Sequence, residues 1–276
     1  MDNYTFNSLT LQLEGLNVSK DTLYPVFLFF FFAYIFIMLL NIGIAILIFI
    51  DKNLHQPMYL LFCNLPFNDI LGNSIMVPRL LIDMMKPSSQ RFISYYECVA
   101  QALISHMFGT TMALVLVGIL LGLTIRLNRC RTLIMNPYCD NASLFKLSCE
   151  SVFINNVYGL TFTVVLFTCS IGSTVITYTK ITVVCLTSNS KSLNSKALKT
   201  CSTHLVVVLI MMFTGFINII LHRFPQYSDY RKLSAILFHI IPGSLNPIIY
   251  GVQSAEICKS LSKLVRSKPV ILNFLC

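Results

Sequence analysis

The stretch CVAQALISHMFGTTMALVLVGILLGLTIRLNRC, residues 98–130, decides the fold of this chain. Its 28 residues from Cys98 to Ile125 carry no charged side chain. A 20-residue helix spans the ~30 Å hydrocarbon layer, so this length allows one bilayer crossing, whereas two would need at least roughly 40 residues. The half before Met112 is semi-polar, and the half after it is almost pure Leu, Val, Ile, Ala and Gly. We therefore predict that the two halves come from two different helices.

The composition is that of an integral membrane protein, with 55% hydrophobic residues, 11% charged residues and a mean hydropathy of +0.73. Backbone groups in lipid must be bonded within the chain, which favours helices, and the apolar runs lack the alternation of a membrane barrel. We predict an all-α polytopic bundle over residues 25–255, between an extracellular N-terminus, 1–24, and a cytoplasmic amphipathic helix and tail, 256–276. The predicted spans lie near 25–50, 57–78, 98–125, 151–179, 200–221 and 233–255.

Charge and motif content exclude several classes of function. The net charge of +9 is spread over short loops as anchors beside the lipid bilayer, and no basic domain exists to bind nucleic acid. No CxxC and no His pair at ligand spacing occur, so we expect neither a zinc site nor another cofactor. Phosphate loops, HExxH and GxSxG are absent as well, which predicts that the chain is not an enzyme.

The polar segments on one side of the bundle carry features of an oxidising compartment. Sequons begin at Asn3 and Asn17, and both are candidates for glycosylation. Four cysteines flank the third apolar run, which is plausible as a disulfide framework; the sequence alone allows three pairings. They are Cys98, Cys130, Cys139 and Cys149.

Four motifs occur in a fixed order along the chain. Leu54-His55-Gln56-Pro57-Met58-Tyr59 opens the second run, and Asp69 lies within it. The decapeptide KALKTCSTHL, residues 196–205, opens the fifth run, and Asn246-Pro247-Ile248-Ile249-Tyr250 lies in the last. In this order the motifs resemble those of odorant receptors, a family of rhodopsin-like G-protein-coupled receptors. The resemblance extends over nearly the whole chain.

The resemblance implies roles for several of these residues. Asp69 would belong to a sodium-linked polar network, with Asn246, Pro247 and Tyr250 forming a switch in the last helix. Lys196 and Lys199 would face a heterotrimeric G protein. The implied disulfides are Cys98 with Cys139 and Cys130 with Cys149.

The implied ligand is a small, mostly apolar odorant bound between the outer halves of the helices. A cleft for such a ligand is apolar with one or two polar groups, and His106 could bond a carbonyl or an amine there. The implied contacts are Ser105, His106, Gly109, Thr110, Phe162, Leu166, Phe167, Met212, Phe213, Phe216, Ile217 and Ile220.

The chain differs from the family pattern in one region. It has six apolar runs instead of seven spans, and the third lacks the Asp-Arg-Tyr motif. We predict an internal deletion of roughly 35 to 40 residues near Thr110–Met112, which joins the outer halves of the third and fourth helices. Residues 98–125 then either cross the bilayer once and reverse all later helices, or form a re-entrant or surface element that preserves the receptor layout.

Two functions remain open from the sequence. One is an odorant receptor in the plasma membrane that signals through a G protein. The other is a truncated, non-signalling membrane protein that only associates with other membrane helices, for which Gly118 and Gly122 supply a small-xxx-small pattern. Failure of the shortened chain to fold would retain it in the endoplasmic reticulum.

Overall fold

Helices make up most of the structure. The computed structural model describes residues 7–55, 63–109, 114–187, 191–253 and 257. In chain order the helices in these residues are α1 (Lys20–Ile50), α2 (Asn64–Met84), α3 (Tyr95–Gly109), α4 (Leu114–Ile125), α5 (Asn141–Phe145), α6 (Phe153–Thr187), α7 (Lys191–Leu221) and α8 (Ser228–Gln253).

Five of these helices are long enough to cross a bilayer. At 1.5 Å per residue even α2, with 21 residues, is ~32 Å long. Three segments combine this length with high hydropathy: Lys20–Ile50, Phe153–Cys185 and Ser228–Ile249. The predicted all-α membrane bundle is confirmed. The boundaries differ from the predicted ones, because α2 continues six residues past Pro78 and α6 continues to Thr187.

A small sheet closes one end of the bundle. Its strands are β1 (Thr10–Leu13), β2 (Phe92–Ser94) and β3 (Leu133–Ile134), and β1 lies in the centre. Strand β1 is antiparallel to β2, with Leu11 opposite Ile93, and parallel to β3, with Leu13 opposite Ile134. These four side chains are at most 2% exposed, and they pack around Cys98 and Cys139. The N-terminal segment is thus tied to two distant parts of the chain.

For residues 98–125, the third of the six predicted spans, the structure has the alternative that preserves the receptor layout and not a single crossing. Strand β2 immediately precedes α3, strand β3 follows α4, and both pair with β1, so the segment begins and ends at the same end of the bundle. The guanidinium of Arg129 lies 3.3 Å from the centre of the Tyr95 ring. Helices α3 and α4 have 15 and 12 residues, or ~22 and ~18 Å, less than a bilayer crossing. The predicted joint at Thr110–Met112 lies outside the described residues.

Helix packing is uneven along the bundle. The largest buried cluster joins α1, α2 and α8. Helix α6, by contrast, has 6% of its most apolar 18-residue stretch buried. Of the predicted C-terminal amphipathic helix, Ile257 is described, and it packs against Leu47, Ile48 and Leu54.

The re-entrant α3–α4 segment restores the receptor layout. Helices α1, α2, α6, α7 and α8 then run alternately up and down, so that the chain starts and ends on opposite sides. Disulfides persist in oxidising compartments, and both disulfides lie at the end that carries the sheet. We expect this end, called the outer end below, to face the lumen or the cell exterior.

Cysteine labelling tests this arrangement. We expect Ser88→Cys and Asn128→Cys, both at exposed positions, to react with a membrane-impermeant maleimide on intact cells several-fold more than the unsubstituted chain. The control Lys52→Cys lies between α1 and α2. It should react with the maleimide only after the cells have been permeabilised. Labelling of Ser88→Cys and Asn128→Cys from opposite sides would show a single crossing instead.

Candidate functional site

Two disulfides fix the loop that covers the outer end. Cys98 at the start of α3 is bonded to Cys139, and Cys130 is bonded to Cys149, with Cα–Cα distances of 5.2 and 5.8 Å. These are the two pairs that the resemblance implies. Oε1 of Gln101 also accepts a bond from the backbone N–H of Cys139 at 2.7 Å. The loop is therefore attached to the outer turns of α3.

Charged side chains attach the same loop to α7 and α8. Oδ2 of Asp140 lies 2.9 Å from Nε2 of His222, which follows the last residue of α7. Arg231 in α8 donates to Oδ1 of Asn136 at 2.9 Å and to the carbonyl oxygen of Met135 at 2.9 Å. Nδ2 of Asn136 donates in turn to Oδ2 of Asp140 at 3.1 Å. The loop thus links the outer ends of α7 and α8 through hydrogen-bonded charges.

The pKa of Asp140 reflects this environment. Burial alone raises the pKa of the carboxyl, but the His222 ring and two hydrogen bonds from Ser143 outweigh that effect and hold it well below its usual range. The backbone N–H of Ser143 donates to Oδ1 of Asp140 at 2.7 Å, as a helix N-cap of α5. The ionised form of Asp140 is therefore the stable one in the folded chain.

The predicted ligand residues fall into two groups. Phe162 is 5% exposed, and its ring stacks on Tyr158 at 6.5 Å. Half-buried positions are Ser105, Leu166, Phe167, Met212 and Ile217. Phe213, Phe216 and Ile220 are 65%, 54% and 39% exposed. The structure therefore places these three side chains on the face of α7 that points away from the helix bundle. The side chain of His106, the surroundings of Gly109 and all of Thr110 lie outside the described residues.

Three helices meet closely beside Phe167. A Cβ atom added to Gly215 in α7 would lie 3.7 Å from Cζ of Phe167 in α6 and 3.2 Å from Cε2 of Phe238 in α8. The glycine thus allows two aromatic rings from neighbouring helices to approach its backbone. Phe167 thus lies where α6, α7 and α8 meet.

A buried polar network lies deeper in the bundle. Asp69 is 2% exposed, and its Oδ2 accepts a bond from Nδ2 of Asn246 in α8 at 3.0 Å. Nδ2 of Asn73 donates to the carbonyl oxygens of Asp69 at 2.9 Å and of His239 at 3.3 Å. Nδ2 of Asn41 bonds to the carbonyl oxygen of Gly243 at 2.9 Å. The structure therefore brings Asp69 together with Asn246, the residue before Pro247 in α8. The side chain of Tyr250 lies outside the described residues.

The sequence of this chain is similar to those of known proteins. The sequence profile of the olfactory receptor family matches residues 110–268, more than half of the chain. The chain belongs to the olfactory receptor family. Mouse (Mus musculus) olfactory receptor 8G17 is 26% identical over 294 positions and covers 92% of this chain and 95% of its own. Human (Homo sapiens) olfactory receptor 52N5 is 28% identical over 262 positions, which cover 79% of this chain and 80% of its own.

A solved structure shows the same fold. The crystal structure of squid rhodopsin superposes with a TM-score of 0.56 over 91% of this chain and 87% of its own, at 14% sequence identity. This olfactory receptor family member is a multi-pass membrane receptor of the G-protein-coupled class and not an enzyme, as predicted.

The alignment lengths agree with a shortened chain. The match to olfactory receptor 8G17 covers 92% of the 276 residues, about 254, whereas the alignment has 294 positions. About 40 positions of the mouse receptor therefore lack a counterpart here. This number is close to the roughly 35 to 40 residues expected from two missing half-helices and their loop.

The sodium-linked network that the resemblance implies fits the residues around Asp69. A sodium ion takes oxygen ligands, and Oδ1 of Asn73 is a buried oxygen without a hydrogen-bond partner among the described atoms. The carboxylate of Asp69 and this amide oxygen would hold the cation, which would neutralise the buried charge of the carboxylate.

Several residues of these networks lie outside the sequence motifs. Asn73 follows Asp69 by one helical turn, a spacing that places both on one face of α2. Asp140 directly follows Cys139, yet its partner His222 is 82 residues away. A local pattern identifies Asn73, but it does not pair Asp140 with His222.

The charge of Asp140 predicts a pH-dependent contribution to stability. Since its pKa in the folded chain is below the ~3.9 of an unfolded chain, its contribution is complete above about pH 4 and declines as the pH falls further. We expect Asp140→Asn to cost about 1 to 3 kcal/mol at pH 7, and this difference to shrink by about 1 kcal/mol at pH 3. Unfolding of the purified receptor in detergent measures both values.

The matched control is Asp21→Asn, which removes the same charge at an exposed position in the first turn of α1. It should change the unfolding free energy by less than about 0.5 kcal/mol at either pH. A cost of Asp140→Asn that is equal at pH 7 and pH 3 would contradict the assignment of the effect to its charge.

Proposed function

We propose that this olfactory receptor family member binds small, mostly apolar odorants between the outer halves of α3, α6 and α7 and signals through a heterotrimeric G protein. The observation that supports this most is the intact outer end. The covering loop and both disulfides are present at the outer end, and the half-buried ligand positions lie on helices that extend from that end. Lys196 and Lys199 in α7 would contact the G protein at the opposite end.

The chemistry of the cleft suits an apolar ligand with a single polar group. Phe162, Leu166 and Phe167 on α6 supply apolar surface, and Ser105 on α3 supplies a hydroxyl. Odorant binding would gain mostly from apolar burial, about 25 cal/mol per Å², with one hydrogen bond to orient the molecule. Such a receptor would act at the plasma membrane, with Asn17, which is exposed at the outer end, and Asn3 as glycosylation sites.

Odorant binding is tested on the purified chain. We expect at least one of a panel of small apolar odorants to raise its unfolding temperature, and Phe167→Ala to weaken that binding about tenfold or more, since a buried aromatic contact contributes about 1.5 to 3 kcal/mol. Ile171→Ala, one helical turn further along α6 at a 53% exposed position, is the control and should bind normally. Equal losses in both variants would argue against a cleft at Phe167.

A second candidate function is a non-signalling membrane protein, and one observation favours it. Helices α3 and α4 end after ~22 and ~18 Å, so they do not extend to the inner end, where a G protein would bind. Along the inner half of α6, Val175, Ile176, Val183 and Val184 are more than half exposed. The family assignment favours signalling, whereas this geometry favours a membrane protein that does not signal.

Cyclic AMP measurements separate the two functions. Cells that express this 276-residue form alone should respond to a bound odorant with a rise in cyclic AMP if the receptor signals. A chain that is present at the cell surface and leaves cyclic AMP unchanged with every odorant of the panel would support the second candidate. Measuring the amount of the chain at the cell surface would also detect its retention in the endoplasmic reticulum.

The second candidate also predicts self-association through α4. Gly118 and Gly122 are exposed, and a Cβ atom at either would meet nothing within 4 Å, so another helix could approach the backbone closely. We expect Gly118→Leu to reduce energy transfer between labelled copies in lipid nanodiscs by about half or more. The control Gly172→Leu, at a glycine of α6 that is equally free of neighbours, should have no effect. Unchanged transfer in both variants would rule out this surface.

A further inference from the structure

One side chain of the outer loop lies inside the helix bundle. Tyr138 is 3% exposed and belongs to the largest buried cluster. The other ten buried members of that cluster all come from helices. They are Phe30 and Ile37 of α1, Met76, Val77, Leu80, Leu81 and Met84 of α2, and Ala235, Ile236 and Ile240 of α8.

The loop on both sides of Tyr138 is anchored, so the position of its ring is fixed. The next residue, Cys139, is bonded to Cys98 and held by Gln101. Asn136, two residues earlier, is bonded to Arg231 of α8. A loop held at both flanks loses little further conformational entropy when the side chain between them inserts.

The Tyr138 ring contacts a helix that carries the buried polar network. Its centre lies 5.5 Å from that of the His239 ring, at an angle of 77°, which is the edge-on geometry that aromatic pairs favour. The carbonyl oxygen of His239 accepts a bond from Asn73, which also bonds to the carbonyl oxygen of Asp69. Asp69 is bonded to Asn246. A continuous series of contacts therefore joins the loop to the polar network.

We propose that Tyr138 is a ligand built into the chain: its phenol ring occupies a binding site between α1, α2 and α8 and, through His239 and Asn73, stabilises the arrangement of Asp69 and Asn246. When Tyr138 is removed, this site accepts a free small phenol. The site is distinct from the proposed odorant cleft on α3, α6 and α7, and it requires neither odorant binding nor G-protein coupling.

The physical basis is the behaviour of buried cavities. Truncation of a large buried side chain leaves a cavity when the surrounding helices relax incompletely, and an apolar cavity stays dry and binds small aromatic molecules. Here the cavity would be lined by the apolar side chains of the cluster, with the ring of His239 on its wall. The molecule that matches it is p-cresol, which reproduces the tyrosine side chain from its Cβ atom outward.

Chemical rescue tests the site. We expect Tyr138→Ala to lower the unfolding temperature of the purified full-length chain in detergent, and p-cresol at about ten times its Kd to restore roughly 3 °C. The same concentration should leave the unsubstituted chain unchanged, because Tyr138 already fills the site. No restoration in a folded Tyr138→Ala variant, or equal restoration in the unsubstituted chain, would overturn the proposal.

A double-mutant cycle tests the connection to the network. We expect the effects of Tyr138→Ala and Asn246→Ala on unfolding to be non-additive, although the two residues share no direct contact. Tyr95 is the matched control, because it is also a buried tyrosine at the outer end but lies in a different cluster, so Tyr95→Ala and Asn246→Ala should be additive. Additivity of the Tyr138 pair would overturn the proposed coupling.

A second substitution keeps the test decisive if Tyr138→Ala does not fold. Tyr138→Leu retains most of the buried volume and removes the ring, so the fold is maintained while the edge-on contact with His239 is lost. Its cycle with Asn246→Ala should again be non-additive, by the same criterion. A folded Tyr138→Leu variant whose effect simply adds to that of Asn246→Ala would count against the built-in ligand.

Discussion

Strand β1 pairs with the chain on both sides of the α3–α4 segment, and this double pairing fixes where the rest of the molecule lies. Through β2 and β3 it holds the beginning of α3 and the chain that follows α4 at one end of the bundle. Two helices too short to cross a bilayer can then enter and return. The crossing helices after them then keep the orientation that a seven-helix receptor gives them, so the remaining bundle is not inverted.

Buried charges at the outer end favour one arrangement of the N-terminal segment and the covering loop over others. Lys232 is fully buried, and its Nζ lies 3.0 Å from Oε1 of Glu14 in the N-terminal segment. Arg231, its neighbour in α8, is bonded to the covering loop. An unpaired charge in such surroundings costs several kcal/mol, so arrangements of the N-terminus and loop that leave these cations without partners are strongly disfavoured. Apolar contacts alone would permit more than one arrangement of these segments.

The sequence predicts the features that depend on local sequence patterns. Long apolar runs predict the helices, and the order of four motifs predicts the family and the meeting of Asp69 with Asn246. The sheet is not predictable in this way, because strands of two to four residues carry no detectable period and pair over 80 or more positions. Tyr138 is missed for the same reason: a loop tyrosine beside a cysteine resembles any exposed loop residue, and its burial depends on three helices that are distant in sequence.

The two ends of the molecule therefore differ in the contacts that stabilise them. The outer end combines a sheet, two disulfides and paired buried charges, whereas α6 runs toward the inner end with most of its apolar side chains exposed, on a surface that lipid would cover. Lipid tails are as apolar as these side chains, so no hydrophobic force draws the inner half of α6 onto its neighbours; packing and polar contacts would have to do so. Local stability follows the density of such contacts. The outer end can thus stay ordered independently of the inner ends of the helices, so the proposed odorant binding and G-protein coupling would be separable properties of one chain.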